Sequence, residues 1–235
     1  HSIRRRQRQM CIRDSIRIVN ATTGEIELIT NLSEIYFAEG ITVSNNSIIQ
    51  LTWRENIGFI YNSSTLENIG NFPIDGEGWG ICSTPNGDIW LSDGSYQLSK
   101  INPNNLSSIT DSLTVFYNNS PINRLNELEC PFDSGLIFSN IWLEDKILAI
   151  NSSTGDVCSE YDFSEIRIQY ENNNSRELNG IAYDHESSLF WITGKNWSNY
   201  YLVDFQINSD FCQLSEKSEI CCTENNLSLF EFLLT

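Results

Sequence analysis

The sequence predicts an all-β protein with the architecture of a β-propeller, and three observations lead to that prediction. The chain is dominated by short runs of β-branched and aromatic residues broken by Asn, Gly, Asp and Ser, as in many-stranded antiparallel proteins. These runs come in pairs that each indicate a β-hairpin. A related polar segment precedes every hairpin and returns at intervals of about 40–50 residues, which is the period of four-stranded propeller blades.

Four predicted hairpins follow one another along the chain. The first strands are runs rich in Ile, Leu, Phe and Trp, and they cover residues 47–53, 88–91, 136–142 and 189–193. The second strands end near turns, and they cover residues 58–61, 98–101, 147–150 and 200–203. Long helical periodicity is absent from the sequence, so the pattern favours strands throughout.

The segments ahead of the hairpins define the repeat. They cover residues 38–41, 76–81, 125–129 and 178–182, and they indicate four blades. Residues 16–20, a turn at 21–24 and residues 25–28 match the outer strands of an earlier blade whose inner strands are absent. A β-sandwich is the rival interpretation, but it does not predict the periodic return of these segments.

Charge and length limit the class of protein. The chain has 235 residues, within the usual range for one all-β domain. Asp and Glu number 31 against 14 Lys and Arg, and no basic stripe with interleaved aromatic residues occurs. The summed field repels phosphates and anionic headgroups, and no run of about 18 apolar residues exists. We therefore expect that the protein neither binds nucleic acid nor inserts into a membrane.

The first 15 residues differ from the rest of the chain because they hold five of the 14 basic residues. Residues 10–15, Met-Cys-Ile-Arg-Asp-Ser, resemble one reading frame of a transposon-end DNA adapter used in preparing sequencing libraries. We therefore interpret residues 1–15 as an adapter-derived, non-native segment; an ordinary basic tail is the alternative. On this interpretation the natural N-terminus is missing, together with any signal peptide.

Cysteine spacing and glycosylation sequons bear on metal binding and on the location of the protein. Cys11 aside, six cysteines remain without any CxxC pair, so disulfides or buried thiols are favoured over zinc: Cys82, Cys130, Cys158, Cys212, Cys221 and Cys222. Ten Asn-x-Ser/Thr sequons occur, of which chance explains roughly half. This excess supports a secreted glycoprotein. The sequons lie at Asn20, Asn31, Asn45, Asn62, Asn105, Asn118, Asn151, Asn173, Asn196 and Asn226.

Polar residues that recur at the start of each repeat are candidates for a channel site, because the innermost strand of every blade lines the central channel. The candidates are Glu39, Glu77, Asn126, Glu127 and Asn179. The alternative is that these residues only close tight turns. Trp53, Trp79 and Trp142 fall in or just after the inner segments, where aromatic residues serve either blade packing or a substrate pocket.

Seven motifs carry a resemblance to a known family. They are residues 37–42 (FAEGIT), 50–53 (QLTW), 76–80 (GEGWG), 125–129 (LNELE), 140–142 (NIW), 178–184 (LNGIAYD) and 193–197 (TGKNW). In this order and spacing, from about residue 16 to residue 205, the chain resembles the plant and bacterial glutaminyl cyclases, also called glutamine cyclotransferases. These enzymes close an N-terminal glutamine into pyroglutamate and release ammonia.

The resemblance implies a five-bladed β-propeller, here with a first blade truncated at its N-terminus. The family's early Phe-Thr-Gln-Gly segment, which supplies a channel glutamine, has no counterpart in this sequence. On this basis the cyclotransferase domain covers residues 16–205. Residues 206–235 form a C-terminal extension without a family role.

The resemblance also implies roles for individual residues. Glu39 matches the family's proton shuttle, while Asn126 and Lys195 match its donors to the developing oxyanion. The substrate glutamine would bind among four aromatic residues, Phe37, Trp53, Trp79 and Trp142. No metal or other cofactor is required for these steps, although the family pattern allows a structural cation in the channel. The implied substrates are peptides or proteins with N-terminal Gln, acted on by a monomer in the secretory pathway or outside the cell.

Two other functions remain open at this point. A non-catalytic propeller would bind peptides or glycans in its channel. A lactonase-like hydrolase would hold a channel metal, but this signature offers Trp and Lys where that site needs carboxylates. His185 is expected to be an exposed hairpin residue, and with no second histidine beyond His1 a Ser-His-Asp mechanism is improbable.

Overall fold

Four antiparallel four-stranded sheets make up most of the fold. The computed structural model describes residues 15–20, 23–131 and 135–205, and the backbone of residues 228–230. In each sheet the strands follow one another in chain order. We name the sheets blade A, with β3 (Ala38–Ser44), β4 (Ser47–Thr52), β5 (Ile57–Asn62) and β6 (Asn68–Pro73); blade B, with β7 (Ile81–Ser83), β8 (Ile89–Ser92), β9 (Gln97–Asn102) and β10 (Asn105–Thr114); blade C, with β13 (Leu125–Glu129), β14 (Leu136–Ile141), β15 (Lys146–Asn151) and β16 (Val157–Asp162); and blade D, with β17 (Leu178–Asp184), β18 (Leu189–Gly194), β19 (Tyr201–Asp204) and β20 (Ser228–Phe230).

The predicted hairpins are confirmed as the second and third strands of the four blades. The predicted run 98–101, for example, lies within β9, and the run 189–193 lies within β18. Trp53 and Trp142, which ended two predicted runs, each stand one residue beyond their strand. That position takes both side chains out of the regular alternation of the sheet.

The inner strands β3, β7, β13 and β17 pack side by side in that order, as in a propeller. Two glycines make the close approach possible. A Cβ on Gly40 would overlap the backbone of Trp79 and Gly80, and one on Gly80 would overlap the backbone of Asn126. Inner strands of blades A, B and C therefore meet where these glycines stand.

Apolar side chains fill the spaces between neighbouring blades. The largest cluster joins blades C and D, where the rings of Phe190 and Phe205 stack with centroids 4.3 Å apart and those of Tyr161 and Phe205 with centroids 4.6 Å apart. Full burial of one such ring contributes about 1.5–3 kcal/mol. Similar clusters lie between blades A and B and between B and C, so each blade is held by its neighbours.

A two-stranded sheet precedes blade A. Its strands, β1 (Ser15–Val19) and β2 (Ile26–Asn31), pair antiparallel as predicted for the outer half of an earlier blade. Ile16 is buried against Ile48 and Tyr61 of blade A. The all-β propeller prediction is therefore confirmed in its coarse form, but the described residues contain four complete blades, not five. The reason is that β1 and β2 have no inner strands beside them in the described part of the chain.

A disulfide joins the inner ends of blades B and C. It links Cys82 in β7 to Cys130 just after β13, with Cα atoms 5.5 Å apart and a sequence separation of 48. Closing a loop of that length removes conformational freedom from the unfolded chain, worth about 4 kcal/mol in the chain-entropy model. Cys158 is disulfide-bonded as well.

Short elements complete the described chain. β11 (Phe116–Tyr117) and β12 (Ser120–Pro121) form a hairpin whose turn residues, Asn118 and Asn119, both have positive φ, as a type I′ turn requires. One helix, α1 (Ser164–Tyr170), follows blade C. Within the described ranges no helix is long and apolar enough to cross a membrane.

The predicted terminal segments lie largely outside the described residues. Of the segment 1–15 only Ser15 is described, as the first residue of β1. Of the extension 206–235 only β20 is described, and it pairs with β19 as the fourth strand of blade D. The last blade thus takes its outer strand from the segment that we expected to be an extension.

Candidate active site

Three inner strands carry the same irregularity near their start. In blade A, Ala38 pairs with Thr52 and Ile41 with Gln50, so Glu39 and Gly40 together face one residue of β4. The same one-residue bulge places Asn126 in blade C and Asn179 in blade D. A β-bulge turns its side chains away from the regular alternation of the strand. The recurring polar residues of the sequence are therefore set apart from their strands in three blades.

Trp53, Trp142 and Lys195 occupy equivalent positions at this same end of the blades. Each is the first residue after the second strand of its blade. Each donates its backbone N–H to the residue that precedes the inner strand: Trp53 to Phe37 at 2.9 Å, Trp142 to Arg124 at 2.8 Å and Lys195 to Glu177 at 3.0 Å. Equivalent backbone positions thus carry two aromatic residues and one cation.

Direct contacts join the four predicted aromatic residues through Glu77. One carboxylate oxygen of Glu77, Oε2, accepts the indole N–H of Trp53 at 2.8 Å and that of Trp79 at 2.9 Å. Trp79 also meets Trp142 edge to face, with ring centroids 5.4 Å apart, and Phe37 meets Trp53 in the same way at 5.8 Å. The four rings therefore form one aromatic cluster that spans blades A, B and C.

Glu77 is held in its ionised form. The hydrogen bond from Trp79 is the main reason that the pKa of Glu77 lies below its ordinary value, with further lowering by Trp53 and Arg54 and an opposing effect of partial burial. The other carboxylate oxygen, Oε1, accepts from Arg54 Nε at 3.0 Å. Arg54 in turn lies over the ring of Trp53, 3.7 Å from its centroid.

Asn126 is buried and oriented by its neighbours. Its side-chain Nδ2 donates to Asn179 Oδ1 at 3.0 Å, and its backbone carbonyl accepts from Ser92 Oγ at 2.6 Å. The bulge that holds Asn179 is itself fixed from blade C, because Gly180 N–H donates to Asn140 Oδ1 at 3.1 Å. Asn126 is therefore held from blades B and D at once.

Lys195 stands on a loop with an internal anchor. Its Nζ lies 3.4 Å from Glu177 Oε1, and the Glu177 side chain is only 10% exposed. The loop that follows is tied to Glu171, whose carboxylate accepts from Ser198 N at 2.6 Å and from Tyr201 Oη at 2.8 Å. The backbone of this loop is therefore anchored, and the Lys195 ammonium lies beside one carboxylate.

Glu39, the predicted proton shuttle, is half-buried in the bulge of β3. Its neighbour Gly40 packs on the backbone of Trp79, which places Glu39 beside the inner end of blade B. The aromatic residues are thus joined by direct contacts. Glu39 and Asn126 share the bulge position of their inner strands, whereas Lys195 follows the second strand of blade D at the same end of the blades.

The opposite end of the inner strands opens into a cavity of about 1030 Å³. Polar residues from the ends of β3, β7, β13 and β17 line it, among them Ser44, Ser83, Glu129 and Asp184. His185 also lines it and is exposed in its hairpin, as the sequence predicted. Among the described residues, no group of three His, Cys, Asp or Glu side chains is arranged to hold a metal ion.

Two carboxylates of the site carry roles that sequence reasoning missed. Glu77 was among the recurring inner polar residues, but its two hydrogen bonds, from Trp53 and from Trp79, were not predicted. Glu177, which neighbours Lys195, was not singled out at all. The signal for Glu77 is its place two residues before Trp79, whereas nothing in the sequence marks Glu177.

The fold and the site together define a β-propeller with an aromatic cluster and a set of hydrogen-bonded polar groups at one end of its inner strands. Residues 10–205 match the model of the glutamine cyclotransferase family. The chain belongs to that family.

Individual relatives agree with this assignment. A glutaminyl-peptide cyclotransferase of Arabidopsis thaliana is 29% identical over 195 residues, which cover 81% of this chain and 60% of the relative, so the chain spans less than two thirds of that protein. The crystal structure of Myxococcus xanthus glutaminyl cyclase is 29% identical, with a TM-score of 0.71 and 80% of each chain covered. A Bacteroides caccae protein of unknown function shares the fold alone, with 10% identity, a TM-score of 0.51, and 83% of this chain and 66% of that chain covered.

Proposed function

We propose that this protein is a glutaminyl-peptide cyclotransferase, an acyltransferase that converts the N-terminal glutamine of peptides or proteins into pyroglutamate with release of ammonia. The observation that carries the proposal is the aromatic cluster built on Glu77, at the end of the blades that also presents Glu39, Asn126 and Lys195. We propose that this cluster is the aromatic pocket for the substrate glutamine. Family membership and the likeness to the Myxococcus enzyme support it.

In the proposed reaction Glu39 moves the proton. Its carboxylate accepts a proton from the substrate α-amine as the amine nitrogen attacks the γ-amide carbon, and a carbon–nitrogen bond forms. It then gives that proton to the amide nitrogen, the old carbon–nitrogen bond breaks, and ammonia leaves. A carboxylate that is only half-buried can serve as base and as acid in turn.

Asn126 and Lys195 are proposed to stabilise the negative charge on the γ-oxygen of the tetrahedral intermediate. Both are held in place before substrate binds, Asn126 by Asn179 and Ser92 and Lys195 by its loop. Donors that are fixed beforehand cost little reorganisation during the reaction.

Phe37, Trp53, Trp79 and Trp142 would hold the glutamine side chain in its ring-closing conformation and exclude water. Edge-to-face packing keeps these rings in fixed relative positions. A reacting amine and carbonyl that are held near contact lose much of the entropic barrier to cyclisation.

Three further properties form part of the proposal. The parent fold has five blades, with β1 and β2 as the outer half of the first, which is supported by their packing on blade A.

The protein is a monomeric glycoprotein of the secretory pathway or the extracellular space. That location suits the Cys82–Cys130 disulfide and the exposed sequon residues Asn31, Asn105 and Asn118. Catalysis requires no metal or other cofactor, while a structural cation in the channel is compatible with the family pattern.

Ammonia release from a Gln-initiated dipeptide tests the proposed function. The matched control is the same dipeptide with an acetylated α-amine, which presents the same side chain but cannot attack it. The expected result is ammonia and a pyroglutamyl product from the free dipeptide alone. Binding of the free dipeptide without ammonia release would favour the non-catalytic channel-binding propeller instead.

A further inference from the structure

We infer that Glu77 is a positioning residue that fixes two pocket tryptophans, and that it acts on substrate affinity through them. The inference rests on the proposed function, because it assigns Trp53 and Trp79 to the substrate pocket. Glu77 itself is given no part in bond making or breaking.

The geometry is that of one acceptor shared by two donors from different blades. Trp53 follows β4 in blade A, whereas Trp79 precedes β7 in blade B, and both indole N–H groups point at Glu77 Oε2. An indole ring has a single N–H, so this bond selects one of the ring orientations that packing alone leaves open. One carboxylate oxygen therefore sets two rings relative to each other.

The remaining contacts of the rings explain why the orientation matters. Gly94 has a φ of +83°, and a Cβ there would overlap the ring of Trp79, so this ring lies directly on the blade B backbone. Its edge-to-face partner Trp142 belongs to blade C. If Trp79 rotated about its side-chain torsions, its ring would lose contact with both the Gly94 backbone and the Trp142 ring. The pocket would then change shape.

Glu77 is itself fixed, which a positioning residue must be. Its second oxygen is taken by Arg54 Nε at 3.0 Å, and the Arg54 guanidinium lies on the Trp53 ring. Both oxygens thus have donors among the protein groups.

Two substitutions separate the hydrogen bonds of Glu77 from its charge. Glu77→Ala removes the acceptor for both indoles, whereas Glu77→Gln keeps a carbonyl oxygen at nearly the same place and removes the charge. The matched control is Glu160→Ala, which breaks the Lys146–Glu160 ion pair of 2.7 Å between β15 and β16 of blade C without touching an indole N–H. All three are made in the full chain and compared with the wild type.

The measurements are kcat and KM for a Gln-initiated dipeptide, the inhibition constant of a Met-initiated dipeptide, and the tryptophan fluorescence and near-UV circular dichroism of the free protein. The Met-initiated probe has a side chain of similar length and cannot cyclise. Loss of two hydrogen bonds in Glu77→Ala should raise KM and the inhibition constant about tenfold, with kcat within about threefold of the wild type and an altered tryptophan signal. Glu77→Gln should recover most of the affinity, and Glu160→Ala should behave as the wild type.

A double-mutant cycle with Trp79→Phe guards against a general folding defect. Phe keeps a ring on Gly94 but has no N–H for Glu77, so the effect of Glu77→Ala should be smaller in the Trp79→Phe background than in the wild type. Strict additivity would overturn the inference. So would unchanged affinity and an unchanged tryptophan signal in Glu77→Ala, or equal losses in the Ala and Gln variants. If the wild type released no ammonia, the proposed function would fail, but the tryptophan signals would still test whether Glu77 orients the two rings.

Discussion

The two ends of the inner strands are built from the same four strands but differ in chemistry. At the tryptophan end, bulges in β3, β13 and β17 turn polar side chains out of the strand alternation, and aromatic residues stand one position beyond the neighbouring strands. At the opposite end the same strand pairs run in regular register and open into a polar cavity. The comparison teaches that local irregularity, rather than the blade architecture, distinguishes the candidate site.

The strongest test of this comparison exchanges one carboxylate at each end. Glu39→Gln should lower kcat by at least ~10²-fold while the fold and substrate binding are kept, because the proposed proton shuttle is lost. Glu186→Gln, at the opposite cavity, should leave kcat unchanged. Steady-state ammonia release measures both. Near wild-type turnover in Glu39→Gln would remove Glu39 from the mechanism.

Lys195→Ala should lower kcat/KM by an amount on the order of 2–4 kcal/mol, as expected when an oxyanion donor is lost. Lys100→Ala is the control, since Lys100 pairs with Asp88 at 2.7 Å on blade B, away from the bulged strand ends. Ammonia release from the Gln-initiated dipeptide measures kcat/KM for both variants. If both lysine variants lost equal activity, charge in general rather than the position of Lys195 would be responsible.

Stability should depend on the disulfide, which stands at the cavity end of blades B and C. The double substitution Cys82→Ser with Cys130→Ser should lower the free energy of unfolding by about 2–4 kcal/mol. Because the bond lies away from the aromatic pocket, KM at a temperature where the variant is folded should not change. Urea unfolding and dipeptide kinetics measure the two effects, and a raised KM would show that the ends are coupled.

Acid should affect the tryptophan end through Glu77. Its pKa is lowered in the folded state, so its stabilising contribution is complete above the ordinary value of 4.5 and is lost as the pH falls through the lower folded value. Tryptophan fluorescence should therefore change below about pH 4.5 in the wild type. The Glu77→Gln variant should show less change over that range, and an equal change would assign the transition to another group.

Two small effects complete the comparison. The aromatic pocket is proposed to bind only the first residue of the substrate, so kcat/KM should vary little when the second and third residues of the peptide are changed. Strong dependence on those residues would extend the site beyond the pocket.

A chelator should leave turnover largely intact. Loss of turnover that zinc restores would contradict the metal-free mechanism.

Short-range features of the chain were predictable because they depend on local sequence patterns. Strand runs such as 98–101 and 189–193 show in the alternation and the β-branched composition, and both lie within observed strands. The polar residues of the bulges were also visible, because they return with each repeat. Roles for Glu39, Asn126 and Lys195 came only from resemblance to a family, and they stay predictions.

The sequence by itself therefore determined the blades, their period and the residue types at the head of each inner strand, since these depend on neighbours a few positions away. Only the tertiary structure decided that Glu77 accepts from Trp53, 24 residues earlier, that Cys82 pairs with Cys130, and that β20 completes blade D. Such contacts join segments that approach only after the blades have packed around the channel. No local sequence pattern predicts these contacts, because the packing of the blades, rather than the propensity of the chain, brings the groups within bonding distance.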